Sequence, residues 1–186
     1  GNDNWFPSYA GGGGDPHLVG YGGNTFTWQG ACDALLLTTA PNESNKDDEL
    51  HVHIRTRRVR QWSAIDAVAI KAGRDVAEID STDGKVFWNG NEVTAINTQT
   101  MSLNNPTIKR KRVLYNFILD GNKYVEVTAN TKTTMIYLSL TGNFPNETRG
   151  LLGSPANPGF FGRDGRAMEG DVNSFVEQWQ VNDNDP

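Results

Sequence analysis

The chain has a single cysteine, Cys32, among its 186 residues. Neither an internal disulfide framework nor a cysteine-based zinc site is therefore available to it. Histidine is scarce too: His17, His51 and His53 are too few for most catalytic or metal clusters. No apolar run approaches the ~18–20 residues that cross a bilayer as a helix, and no signal peptide is recognisable. Net positive charge is also lacking. The 17 basic residues stand against 22 acidic ones, a balance of −5 that argues against a general nucleic-acid binder. What remains, with 37% hydrophobic residues and 20 glycines, is the composition of one globular domain rich in turns.

Short strands separated by turn residues dominate the chain. Leu50 to Arg55 alternates apolar and polar residues, as a strand with one buried face does, and Asp66 to Lys71 repeats the pattern. Lys85 to Trp88, Asn89-Gly90 and Asn91 to Val93 make a two-residue hairpin signature. Leu114 to Leu119, Asp120-Gly121 and Lys123 to Val127 read as a second hairpin of the same kind, and Thr134 to Leu140 adds another strand. The pattern predicts an all-β fold: a two-sheet β-sandwich of antiparallel strands, with a short C-terminal helical segment over Val172 to Trp179. Residues 1–13, which run into a block of glycines, are expected to form a flexible N-terminal segment. Residues 14–181 are expected to form the domain and 182–186 a polar, frayed tail.

Gly14-Asp15-Pro16-His17 opens the structured region, followed by Tyr21-Gly22-Gly23 and by Trp28-Gln29-Gly30-Ala31-Cys32. These motifs resemble the start of a von Willebrand factor type D domain. The likeness continues through Val86 to Val93, Gly150-Leu151-Leu152-Gly153 and Phe175 to Val181. Such a resemblance implies an extracellular protein, secreted or at the cell surface, acting as an adhesion or matrix module. Two departures stand out. Only the Cys32 position of a usually disulfide-rich family is kept. Many members also bind calcium through an Asp in the early turn, where this chain has Gly22. Calcium takes six to eight oxygens. Asn157, Asp164 and Asp171 supply a few, at spacings that do not match the family site, so no metal and no cofactor is expected.

Gly-Asp-Pro-His carries its own chemistry. The Asp15 carboxylate can attack its own main-chain carbonyl and close a five-membered ring, at an effective concentration no separate nucleophile reaches. Pro16 makes the bond a tertiary amide, His17 is the adjacent group able to protonate the leaving nitrogen, and Gly14 eases the backbone geometry. The resemblance, which includes gel-forming mucins, implies self-cleavage of Asp15–Pro16. It also implies an Asp15 anhydride open to capture by water, an amine or a sugar hydroxyl, as at the related Asp-Pro-His of inter-alpha-trypsin inhibitor heavy chains. This would be single-turnover autoproteolysis, not enzyme turnover. Alone, the same four residues also suit an ordinary turn.

Arg55, Arg57, Arg58 and Arg60, with Lys109, Arg110, Lys111 and Arg112, form two basic runs. If they adjoin, they make a patch suited to anionic polysaccharide; otherwise they are solvated strand ends that guard an edge. His51 and His53 share a strand face, expected to be solvated. The alternative to a self-cleaving, cross-linking module is a structural module that binds glycan or protein non-covalently with its Asp-Pro bond intact. Expected partners are matrix or surface polymers or other proteins, without nucleic acid and without membrane insertion.

Overall fold

A computed structural model gives the fold and describes residues 10–13, 16–39, 49–104, 106–120, 122–145 and 147–186. Sixteen strands, one α-helix and a short 3-10 turn at Tyr21–Gly23 lie among the described residues. The first strands are β1 (Ala10–Gly13), β2 (His17–Val19), β3 (Thr25–Thr27), β4 (Asp33–Thr39), β5 (Leu50–Val59) and β6 (Trp62–Ala72). Next come β7 (Asp75–Asp80), β8 (Val86–Trp88), β9 (Asn91–Val93), β10 (Ile96–Asn97), β11 (Met101–Leu103) and β12 (Thr107–Lys109). The last are β13 (Arg112–Leu119), β14 (Lys123–Asn130), β15 (Met135–Gly142) and β16 (Thr148–Arg149), followed by helix α1 (Val172–Gln178).

All pairings are antiparallel, in two sheets. Seven strands run in the order β16-β4-β5-β6-β7-β8-β9; the other sheet has nine, ordered β10-β11-β13-β14-β15-β1-β2-β3, with β12 also paired to β13. The all-β sandwich predicted from the alternating pattern is thus the observed one. Val52 and Ile54 of β5 and Val68 and Ile70 of β6 face Phe117, Val125, Val127, Leu138 and Leu140 of the opposite sheet, all buried. Alternation at period two puts each of these side chains on the inner face and its polar neighbour on the outer.

Asn89 and Gly90 both take positive φ, 48° and 85°, in the tight β8–β9 turn, as a two-residue hairpin requires. The second hairpin differs from expectation: Leu119 pairs with Lys123, so three residues connect β13 and β14, with Asn122 at φ 60°.

The middle of β4 is a continuous apolar run, Ala34 to Leu37, all buried. Its inner face meets the core, and the C-terminal chain covers it from outside. Leu151 and Leu152 donate to the carbonyls of Leu35 and Leu36, and Leu35 donates to Trp179 O at 2.7 Å. Helix α1, capped by the Asp171 carboxylate on Ser174 N at 2.8 Å, presents Phe175 to Phe26 of β3 and to Phe160, with centroids 5.4 and 5.0 Å apart. The first contact is edge-on and the second tilted, and together they join α1 and the late loop to β3.

Two expectations about the chain ends are corrected. Gly11 to Gly13 are not a flexible stretch but part of a strand, hydrogen-bonded to β15 on one side and β2 on the other. The tail is not frayed: Asp185 accepts two hydrogen bonds from Arg163, at 2.8 and 2.9 Å, and one from Asn182 N. Residues 1–9 lie outside the described residues.

The three glycines of β1 leave no room for side chains. A Cβ on Gly11 would press on the Leu138 carbonyl and lie 2.9 Å from Ser139 Cα; one on Gly13 would lie 2.7 Å from Tyr137 Cγ. Gly11→Val is therefore expected to lower stability by about 2 kcal/mol, the cost of overpacking against fixed backbone. Thermal unfolding followed by circular dichroism should show a melting temperature about 4–8 °C lower. A variant melting with the parent would place β1 outside the sheet.

Candidate functional site at the β1–β2 hairpin

Gly13 pairs with His17, Gly12 with Leu18 and Gly11 with Val19. That register leaves residues 14–16, Gly-Asp-Pro, as the whole connection between β1 and β2. Gly14 and Asp15 lie outside the described residues; Pro16 and His17 are described. Pro16 is buried, and its carbonyl accepts the Trp28 N–H at 3.2 Å, which ties the carboxyl side of the Asp15–Pro16 bond to the strand entering from β3. His17 opens β2 on the exposed side and pairs with Thr27 of β3. Its Nδ1 lies 2.6 Å from Thr27 Oγ1, a contact that holds the imidazole ring against β3.

A depression of about 440 Å³ lies beside this hairpin. Gly12, Gly13 and His17 border it on one side, and Glu126, Tyr137 and Ser139 on the other. Tyr137, unusually exposed for an aromatic residue at 48%, lays its ring against Gly13. Neither Thr27 nor Tyr137 carries a motif in the sequence; only pairing across the sheet brings them to the hairpin.

The basic runs meet at the same end of the molecule. β1 ends opposite Tyr137, two residues into β15, so its hairpin stands at the end where the β14–β15 turn lies. From the other sheet, Arg57 reaches that turn, donating to Thr134 O at 2.9 Å and to Thr134 Oγ1. From the same sheet, Arg112 pairs with Asn130, and Thr131 N donates to Lys111 O at 2.9 Å. Arg58, Arg60, Lys109, Arg110, Lys111 and Arg112 are near this turn or on the hairpins flanking it, with all six exposed. Arg55 stands apart from them, in a two-pronged pair with Asp33 at 2.7 and 3.0 Å.

A calcium ion here would have to be held between the early turn at Gly22 and the late loop. A Cβ on Gly22, at φ 84°, would lie 2.5 Å from Pro158 Cβ, so the early turn meets the late loop through carbon and has no room for a carboxylate. Asp164 accepts from Arg166 N, and Asp171 caps α1. No group of three or more His, Cys, Asp or Glu side chains suited to a metal occurs among the described residues. The residues present do not fit a calcium site.

His51 and His53 are not on a solvated face. His51 is 3% exposed, with Nδ1 2.6 Å from Thr38 Oγ1 and Nε2 3.4 Å from Glu49 Oε2. His53 is half-buried where Asp185 and Pro186 come up against it. Burial lowers the pKa of both below the ordinary value of 6.5. Cys32 is part-buried, and burial pushes its thiol up to about 11, which keeps it protonated and unreactive near neutral pH.

An antiparallel sandwich with a glycine strand, a three-residue connection between β1 and β2 and an aromatic closing segment defines an all-β module. The sequence matches the family model of the von Willebrand factor type D domain over residues 11–157, and the chain belongs to that family. At the general level it is therefore an extracellular, adhesion-type module. No helix among the described residues is long and apolar enough to cross a membrane. Residues 158–186, which include α1, lie beyond the matched segment yet complete the sandwich.

The buried histidines set a pH dependence. Because their folded pKa values are lowered, the unfolded chain binds more protons below about 6.5, so stability is full above that pH and falls as pH drops through it. The lowered carboxyl pKa values of Asp33 and Asp185 act in a separate window, below their ordinary 3.8. The urea midpoint should fall between pH 7 and 5, and the double variant His51→Gln with His53→Gln should flatten that slope. An unchanged slope in the variant would assign it to other groups.

Proposed function

We propose that this extracellular module cuts its own Asp15–Pro16 bond and leaves Asp15 as a cyclic anhydride able to acylate an amine or a hydroxyl. The observation that carries the reading is the register of β1 against β2, which confines Gly-Asp-Pro to a three-residue connection beside His17. A connection so short restricts the conformations open to Asp15, and confinement of this kind turns an occasional approach of carboxylate to carbonyl into a frequent one.

The steps balance as follows. The Asp15 side-chain carboxylate oxygen attacks the Asp15 main-chain carbonyl carbon. The bond to Pro16 nitrogen breaks, and His17 supplies the proton that lets the nitrogen leave as an amine. Water, an amine or a hydroxyl then opens the anhydride, forming an acid, amide or ester and freeing one carboxylate. Each molecule reacts once. The depression along Gly12, Gly13 and Tyr137 supports the reading, because it offers an acceptor an approach beside the hairpin.

Incubation at pH 5 to 8, followed by a denaturing gel and mass spectrometry, should yield a new amino terminus at Pro16. Asp15→Asn should abolish the cut, and His17→Ala should slow it by about 100-fold. A chain that stays whole for days would overturn the reading. Native gel filtration should show no change of mass on cutting, because β1 is hydrogen-bonded to both β15 and β2. A fragment that separates without denaturant would show that the sheet does not hold β1 after scission.

A further inference from the structure

Two hairpins at the basic end are tight. Val59 pairs with Trp62, leaving Arg60-Gln61, and Lys109 pairs with Arg112, leaving Arg110-Lys111. In both, the first turn residue is an arginine at positive φ, 58° for Arg60 and 56° for Arg110. Glycine or asparagine adopts that conformation with less strain, and in the hairpins after β8 and β13 asparagine takes it, at Asn89 and Asn122. At the basic end arginine takes this conformation twice, holding a strain that asparagine would lessen.

The charges there are available. Among the described residues, Arg58, Arg60 and Lys109 to Arg112 enter no ion pair, and Lys132 in the β14–β15 turn adds a further exposed cation. Three nearby carboxylates have hydrogen-bond partners other than these cations. Asp66 is taken by Arg57 and by Ser81 Oγ, at 3.1 and 2.9 Å. Asp80 and Asp83 accept from backbone N–H groups of their own turn, Thr82 at 2.7 Å and Lys85 at 2.9 Å. A cationic rim therefore crosses from one sheet to the other on a chain whose net charge is −5.

We infer that this rim, formed by the β5–β6 and β12–β13 hairpins around the β14–β15 turn, binds a sulfated polysaccharide. The guanidinium forks of Arg58, Arg60, Arg110 and Arg112 match the oxygen spacing of sulfate groups. Cations spread over turns of both sheets suit an extended polymer with repeated charges better than one small anion. Membership of an extracellular family favours a matrix polymer over nucleic acid. The surface does not depend on cleavage of Asp15–Pro16, so either reading can fail while the other stands.

The test is retention of the purified chain on immobilised heparin, with the same polymer after desulfation and duplex DNA as comparisons. The parent should be retained at about 0.15 M salt and released as salt rises, since exposed charges are screened within about a Debye length. The double variant Arg60→Asn with Arg110→Asn should bind about 10-fold more weakly, at about 3-fold per exposed charge. Its melting temperature should equal or exceed that of the parent, because asparagine relieves the turn strain. Lys132→Glu reads the same surface from an unrelated turn and should also weaken binding. Absent retention, equal retention on the desulfated polymer, tighter retention on DNA, or variants that bind like the parent would each overturn the inference.

Discussion

Strand β1 depends on close approach of backbone to backbone. Gly11 to Gly13 lie between β15 and β2, and carbonyls and side chains from both neighbours occupy the space where side chains would stand. Close packing tolerates little added volume, so the glycines are required by the contact they make, not by flexibility. From that insertion follow the Gly13–His17 register, the three-residue connection, the place of Tyr137 over Gly13 and the position of the hairpin at the basic end.

The second constraint is the return of the C-terminal chain. Ala34 to Leu37 of β4 are buried on both faces, and such an apolar run needs cover on the outside as well as the inside. Trp179 supplies part of it, donating its indole N–H to Phe161 O at 2.9 Å, with the guanidinium groups of Arg149 and Arg163 5.6 and 5.3 Å from its ring. Arg163 in turn holds Asp185. This is how a domain of the family keeps its shape here with one cysteine and no fitted calcium site: the cover comes from apolar packing and one charged clamp.

Sheet architecture was legible because it is local. In β5, β6 and β13 to β15, alternation alone sorts inner from outer residues, and Asn89-Gly90 fixes its own turn. Expectation failed where partners are remote in sequence. The glycine run carries no pattern, and its neighbours Leu138 and Tyr137 lie more than a hundred residues away. His51 and His53 alternate as exposed residues do, yet β4 and the chain end cover them. Of the candidate site, Pro16 and His17 were legible as a motif, whereas the Thr27 contact and the Tyr137 wall arise only through strand pairing. The two basic runs were legible as charge, but their meeting at the β14–β15 turn was not.

The placement of β1 also has a mechanical side. Its hydrogen bonds to β15 and β2 lie across the strand axis, so a pull along the chain loads them together rather than one after another. With glycine at three of its four positions, there are almost no side chains to interlock, and resistance to sliding rests on the backbone bonds alone. The strand is a shear joint whose strength is set by the length of its pairing.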